Sequence, residues 1–380
     1  MKKRIGLNAL VLNQESGGLG VYIRNLISYL QKAELSIEPK IFLSKDTYGS
    51  YSNSEINGVF KQINILSNEP INRIIREPFI WAKILKRNRI DLFHSPISYI
   101  PWGVNVPTII TIHDLGFFHF PENYTKLRQL FLRKMIGDSV KKARRIITIS
   151  KFTKDDIVKT LNVNPEKISV IYEGLDEEQF KKKYSTAELS EIKNRYNLPD
   201  KYIISVGHLE PRKNYVRLIH AYQLIKERYN IDHKLVIVGR ENWKFKEICE
   251  LINQAGLSKF ILLTKFINSS DLPAFYQNAD LFVTASIFEG FGFTPLESMV
   301  AGTPVAASNC TSIPEVVGEA AILFDPNDEN DIAEKVVRLL ADKNLRNELI
   351  QKGFQNIKRF NWDNCCAQTI KVYENVLNEI

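Results

Sequence analysis

Two glutamates, Glu289 and Glu297, bracket a glycine-rich stretch in EGFGFTPLESMVAGTPVAAS (289–308). Seven residues separate them, among them Gly290, Gly292 and Pro295. The glycines permit close approach of a ligand to the backbone, and Pro295 suits the first turn of a following helix. Glu297 then falls within that first turn. The N–H groups of a helix start can hold phosphate oxygens. Carboxylates are poor phosphate ligands but good acceptors for hydroxyls. Two acids flanking a phosphate seat therefore point to a ligand with sugars on both sides of a diphosphate, a nucleotide-sugar.

Other loaded segments follow the same logic. In GHLEPRKNYVRL (207–218), Glu210, Arg212 and Lys213 occupy a loop bent by Pro211, and Asn214 is placed to cap the next helix. Arg supplies a planar fork and Lys a point charge, a combination that suits a diphosphate better than a merely solvated loop. In TIHDLGFFHFP (111–121), His113 and Asp114 end an apolar run. His113 suits contact with a reacting sugar or an acceptor, and Asp114 could orient it or assist an acceptor hydroxyl. A histidine at a strand end is as often a packed structural residue, which is the reading for His94 in FHSP. The loop NQESGGLGVY (13–22) sets Gly17, Gly18 and Gly20 at a helix start, where backbone N–H groups can meet an anion. It lacks the third glycine of the dinucleotide fingerprint, and no ribose-binding acid follows the second strand, which argues against a nicotinamide enzyme.

These segments must sit at the ends of regular elements. Strand-like runs fall at 4–10, 39–44, 91–95, 108–114, 145–150 and 168–174, then at 202–208, 234–239, 260–266, 280–286, 303–308 and 320–324. Helical patterns separate them, such as 20–33 with Tyr22, Ile23, Leu26, Ile27 and Leu30 on one face. Apolar strands alternating with helices predict parallel sheets covered on both faces, and two such series predict an α/β chain of two doubly wound, Rossmann-like domains. A ligand would then bind beyond the strand carboxyl ends, in a cleft between the domains. The polar stretch 176–201 reads as the linker and 362–380 as a last helix.

Length agrees, since 380 residues exceed one ordinary core. The net charge of +8 is uneven: residues 1–180 hold 26 Lys and Arg against 18 Asp and Glu, whereas 181–380 hold 25 of each. The densest patch, 126–145, has eight basic residues and one acid and could face anionic lipid or a phosphorylated acceptor, or be a solvated helix face. No zinc-finger spacing or RNP-like strand supports nucleic-acid binding. No apolar run is long enough to span a bilayer, and the N-terminal apolar stretch is too short for a signal peptide. Four cysteines without metal-ligand spacing fit a reduced, cytoplasmic protein.

In this order the motifs become recognisable. SGGLGVYIRNL (16–26), TIHDLGFF (111–118), ITISKFTKDDI (147–157), VIYEGLD (170–176), SVGHLEPRKN (205–214), LVIVGRENW (235–243), the Glu289–Glu297 stretch and IPEVVGEAA (313–321) cover essentially the whole chain. The chain resembles family 4 of the glycosyltransferases, retaining enzymes of the GT-B fold. It is most like bacterial mannosyltransferases of surface-polysaccharide synthesis that use GDP-mannose.

The resemblance implies a division at 178/179. Residues 1–178 form the acceptor domain, with the helix 363–380 crossing back onto it, and 179–362 form the donor domain. It implies that Arg212 and Lys213 bind the donor diphosphate and that Gly18 meets the phosphate or sugar. Glu297 holds the ribose, and Glu289 with the N–H groups of Phe291 and Gly292 holds the transferred sugar. His113 lies beside the sugar ring, and Phe266 and Ile267 border the base. Phe293 and Thr294 depart from the Leu-Pro or Leu-Ser of many relatives, with the Thr294 hydroxyl free to add a phosphate contact. Gly17, Tyr22 and Asp114 belong to the acceptor side. The implied reaction transfers a hexose from a nucleotide-diphosphate sugar, with retention, to a glycan or polyprenyl-diphosphate-linked acceptor. It needs no cofactor or metal, because two cations already face the leaving group. A UDP-sugar or deoxysugar transferase is the nearest alternative; a nucleotide-sugar epimerase or hydrolase and a non-enzymatic binder are the others. A glycosidase fits less well, because the turn between the acids is built for phosphate.

Overall fold

Among the described residues, thirteen short parallel strands form two sheets. The computed structural model describes residues 2–13, 17–32, 35–52, 59–67, 70–239, 245–264 and 267–380. Contacts divide the chain into unit 1, Met1–Gly174 with Asn361–Ile380, and unit 2, Leu175–Phe360.

Unit 1 contains β1 (Lys3–Asn8), β2 (Ile37–Ser44), β3 (Phe60–Ile63), β4 (Leu92–Ser95), β5 (Thr108–Ile112), β6 (Arg145–Thr148) and β7 (Ile168–Val170), in the spatial order β3-β2-β1-β4-β5-β6-β7. β4 and β5 are buried at every residue. Successive side chains of a strand point to opposite faces, and both faces of this sheet are covered. Ile109 joins a cluster with Tyr22, Leu26 and Tyr373, whereas Ile110 and Ile112 pack with Met135, Ile136 and Ile157. The C-terminal helix Trp362–Asn378 belongs to the first cluster through Cys365, Cys366, Ile370, Tyr373 and Val376.

Unit 2 contains β8 (Tyr202–Val206), β9 (Lys234–Val238), β10 (Ile261–Thr264), β11 (Leu281–Thr284), β12 (Val305–Ser308) and β13 (Ala321–Phe324), ordered β10-β9-β8-β11-β12-β13. Its first strand pairs with β9 on one side and β11 on the other, with Leu281 opposite Ile203 and Phe282 opposite Ile204. The strand order therefore reverses between β8 and β11, the position in an open α/β sheet beyond whose strand carboxyl ends ligands bind.

Three expectations need correction. β3 was not anticipated: its four residues, FKQI, set two adjacent polar residues between two apolar ones at a sheet edge and give no periodic signal. The stretch 176–201 is not a free linker but holds two helices of unit 2, Glu177–Lys181 and Thr186–Tyr196. The second begins with a full capping box in which Ser185 and Glu188 satisfy each other's backbone N–H groups. The division falls at 174/175 and 360/361 rather than at 178/179 and 362/363. Gly174 packs flat on the start of the C-terminal helix, where an added Cβ would lie 2.3 Å from the Trp362 nitrogen. One residue later, the Leu175 N–H donates to the Phe360 carbonyl at 3.2 Å within unit 2.

Candidate functional site

The reversal between β8 and β11 explains why residues some 75 positions apart in sequence meet. After β8, Pro211 starts a single 3-10 turn, Pro211–Lys213, which presents Arg212 and Lys213 side by side. After β11 the chain turns through Glu289. The Ile287 N–H donates to the Arg212 carbonyl at 2.8 Å and ties the two loops together. Arg212 Nη1 lies 2.7 Å from Glu289 Oε2, and Lys213 Nζ lies 2.5 Å from Glu289 Oε1. Arg212 is held from its other edge by Glu210, Nε to Oε2 at 2.9 Å.

Glu289 is buried, 9% exposed. Burial alone would raise its pKa, but the charges of Lys213 and Arg212 outweigh it and hold the carboxyl down at about 2. The acid expected to grip the transferred sugar is thus committed to the two cations expected to grip the diphosphate. Two anions, Glu210 and Glu289, balance two cations in one small volume.

The segment after β12 braces the turn. The Glu289 N–H donates to Thr311 Oγ1 at 3.2 Å, and the Ser312 hydroxyl lies 2.8 and 2.7 Å from the carbonyl oxygens of Glu289 and Phe291. Phe291 is buried and packs edge-to-face on Phe360, with ring centroids 5.4 Å apart. Gly292 has φ 109°, a conformation that favours glycine, and launches the helix Phe293–Ala301. The N–H groups of Phe293 and Thr294 stand in its first turn, where no intrahelical acceptor exists.

Because that helix begins at Phe293, Glu297 is its fifth residue and lies in the second turn, not the first. It is partly buried, and Tyr276 Oη donates to its Oε2 at 2.8 Å. Burial pushes the Glu297 carboxyl up to about 7, against the lowering pull of the Tyr276 hydrogen bond and the Lys213 charge. The two glutamates that look alike in sequence therefore sit at opposite ends of the carboxylate range. Asn214 does not cap the helix Tyr215–Tyr229. It adopts a left-handed conformation, φ 58°, and its side-chain amide donates to the Pro326 carbonyl at 2.7 Å.

Ile267 follows β10, and its loop is braced by Tyr196, whose hydroxyl accepts from the Asn268 N–H at 3.3 Å and donates to Asp271 at 2.9 Å. Phe266 lies outside the described residues.

Unit 1 carries its own cluster. Gly17 and Gly18 are exposed at the start of the helix Gly17–Lys32. His113 follows β5, with Nδ1 3.3 Å from Oε1 of the buried Glu173. Tyr22, expected on the acceptor side, is instead 2% exposed in the core. Its ring stands edge-on to His113 at 5.2 Å, its hydroxyl lies 3.3 Å from Thr111, and burial drives its pKa far up. Asp114 is exposed and accepts from the Gly116 N–H at 2.8 Å, which shapes the turn. His94 is a packed residue: Tyr373 and Thr111 hydroxyls lie 2.6 and 2.8 Å from its ring nitrogens, and burial pushes it down to about 3. On the basic helix Lys126–Lys142, Leu127 and Leu130 are 83% and 69% exposed among Lys126, Arg128, Arg133 and Lys134.

Sequence reasoning missed Glu173, Tyr276, Tyr196 and Ser312. An acid closing a strand in YEGLD was a usable signal for Glu173; the others act by contacts that no local spacing encodes.

The chain matches two family models, one described as Glycosyltransferase Family 4 over residues 16–179 and one as Glycosyl transferases group 1 over 187–356. It is 32% identical over 295 residues to the O-antigen chain mannosyltransferase B of Escherichia coli, covering 77% of this chain and 76% of that one. The serotype-specific mannosyltransferase WbdA of Escherichia coli is 30% identical over 287 residues, 74% of this chain. The match spans 34% of that longer relative. Among solved structures, sucrose-phosphate synthase from Thermosynechococcus elongatus is similar at a TM-score of 0.77, with 21% identity over the whole of both chains, a likeness of fold.

Proposed function

The chain belongs to family 4 of the glycosyltransferases and has their GT-B fold, and from that premise we propose that it moves mannose from GDP-mannose to a hydroxyl of a glycan or polyprenyl-diphosphate-linked acceptor, retaining the anomeric configuration. The observation that carries this reading is the Arg212–Lys213 pair gathered on Glu289 where the strand order reverses. In the reaction the bond from the anomeric carbon to the diphosphate breaks, and the acceptor oxygen bonds to that carbon on the same face. The departing phosphate receives the acceptor's proton. Arg212 and Lys213 stabilise the charge that develops on the leaving diphosphate, so the residues themselves do the work a metal ion would otherwise do. The N–H groups at the start of the helix Phe293–Ala301 face the same anion. Glu297 accepts from ribose hydroxyls, Glu289 from the transferred sugar once the diphosphate has taken its cations, and His113 borders the sugar ring.

The mannose assignment draws on the relatives named as mannosyltransferases. The exposed leucines among the cations of Lys126–Lys142 support contact with the anionic inner face of a membrane, where a lipid-linked acceptor would be met. The test is a thermal-shift screen of nucleoside diphosphates and nucleotide-sugars, since a ligand of the folded state raises the melting temperature according to its affinity. GDP and GDP-mannose should give the largest shifts. A larger shift with UDP compounds would overturn the donor, and no shift with any nucleotide would overturn the function.

A further inference from the structure

His113 is gripped from three elements of unit 1. Tyr22, on the helix Gly17–Lys32, presents its ring edge, and Thr153, on the helix Lys151–Leu161, donates to the His113 carbonyl at 3.4 Å. Glu173, just beyond β7, sets Oε1 3.3 Å from Nδ1. The backbone at Glu173 has little freedom, because the next residue, Gly174, lies flat against Trp362 with no room for a Cβ.

The polar accounting around this ring is incomplete. Glu173 is 1% exposed, and its Oε1 is without a hydrogen-bond partner at the present ring orientation. His113 Nε2 is likewise shielded and without a partner. A carboxylate out of water needs a donor, and the fold sets the His113 imidazole against it at ion-pair distance. The other titratable groups nearby are spoken for. His94 is flanked by Tyr373 and Thr111, Tyr22 Oη lies against Thr111, and Cys365 is a buried thiol pushed above the ordinary range by burial.

We propose that Glu173 is a positioning residue for His113: it faces the proton on Nδ1, so that the shielded Nε2 carries a lone pair rather than an unpaired donor, and it thereby fixes the ring's tautomer and orientation. A free imidazole prefers the proton on Nε2, which would present a donor there instead. The inference rests on the reading that His113 borders the transferred sugar.

The experiment labels the histidines of the full chain with 15N and reads which ring nitrogen of His113 carries the proton, with His113→Asn assigning the resonance. Wild type should show Nδ1–H. Glu173→Gln keeps an acceptor oxygen and should preserve both that tautomer and most of kcat. Glu173→Leu should switch the proton to Nε2 and lower kcat by about tenfold or more, with donor KM changed less than about twofold. A proton on Nε2 in wild type overturns the proposal without recourse to any variant. An unchanged tautomer and kcat in folded Glu173→Leu overturns it as well. Thermal shift with GDP, run in parallel, separates the two readings: Nδ1–H without nucleotide binding would sink the proposed function and leave the role of Glu173 in orienting the ring intact.

Discussion

Replacing Glu289 by Gln should make the protein hold a bare nucleoside diphosphate more tightly while slowing sugar transfer. The reasoning starts from the contacts at 2.5 and 2.7 Å that commit Glu289 to Lys213 and Arg212. Its carboxyl is held at about 2 against an ordinary 4.5. At about 1.4 kcal/mol per pKa unit, this is on the order of 3 kcal/mol of preference for the charged, paired form. A diphosphate that engages the same cations must displace the carboxylate and forfeit most of that energy. With a complete donor, Glu289 recovers part of it by accepting from sugar hydroxyls. With GDP alone it recovers nothing. Gln keeps one hydrogen bond to the cations but not the charge, so roughly half of the 3 kcal/mol should be released, about a tenfold gain in GDP affinity. Affinity for the intact nucleotide-sugar should rise less, and kcat should fall because the sugar loses its acceptor. Titration calorimetry of GDP with wild type and Glu289→Gln, paired with single-turnover transfer, reads both effects. Weaker GDP binding by the variant would refute the reasoning and recast Glu289 as a residue that simply orients the cations.

Glu297→Gln should weaken donor binding more than it slows turnover, and wild-type donor affinity should rise from pH 6 to 8, as the carboxyl near 7 ionises and becomes an acceptor, a dependence the variant abolishes. The raised pKa also stabilises the ligand-free fold below about pH 4.5, a contribution lost as pH rises through 7, so melting curves of the variant should be flatter across that window. Gly174→Ala places a methyl 2.3 Å from the Trp362 nitrogen and should cost about 3 kcal/mol or more, lowering the melting temperature by about 6–12 °C; an unchanged melting temperature would contradict the packing. Transfer should survive EDTA, and loss of turnover restored by magnesium or manganese would count against the role given to Arg212 and Lys213. Anionic vesicles should retain the protein at low salt and release it at high salt, and Leu127→Ser with Leu130→Ser should weaken retention where neutral vesicles show none.

Much of the architecture was legible in advance because its signals are local. Twelve apolar runs fall on twelve of the strands, and their alternation with helices implied two parallel sheets. Edge strand β3 escaped because four residues of mixed polarity carry no period, and 176–201 read as a linker because its helices are polar and rest on capping and ion pairs. Arg212, Lys213, Glu289 and Glu297 stood out by residue type and position at strand ends.

What each of those residues does depends on distances that spacing does not encode. Glu289 and Glu297 are chemically identical in sequence, yet one is a buried anion between two cations and the other a carboxyl near neutrality under a tyrosine. The difference arises because β8 lies beside β11, which brings Lys213 and Arg212 to one glutamate, while the helix start at Phe293 turns the other toward Tyr276. Tyr22 looked like a ligand-side residue and is core, and Glu173 looked unremarkable and supports His113. Composition, periodicity and motif determined the elements and the kind of chemistry. Charge pairing and desolvation act through space, so only the packed chain decided the ionisation and partners of each group.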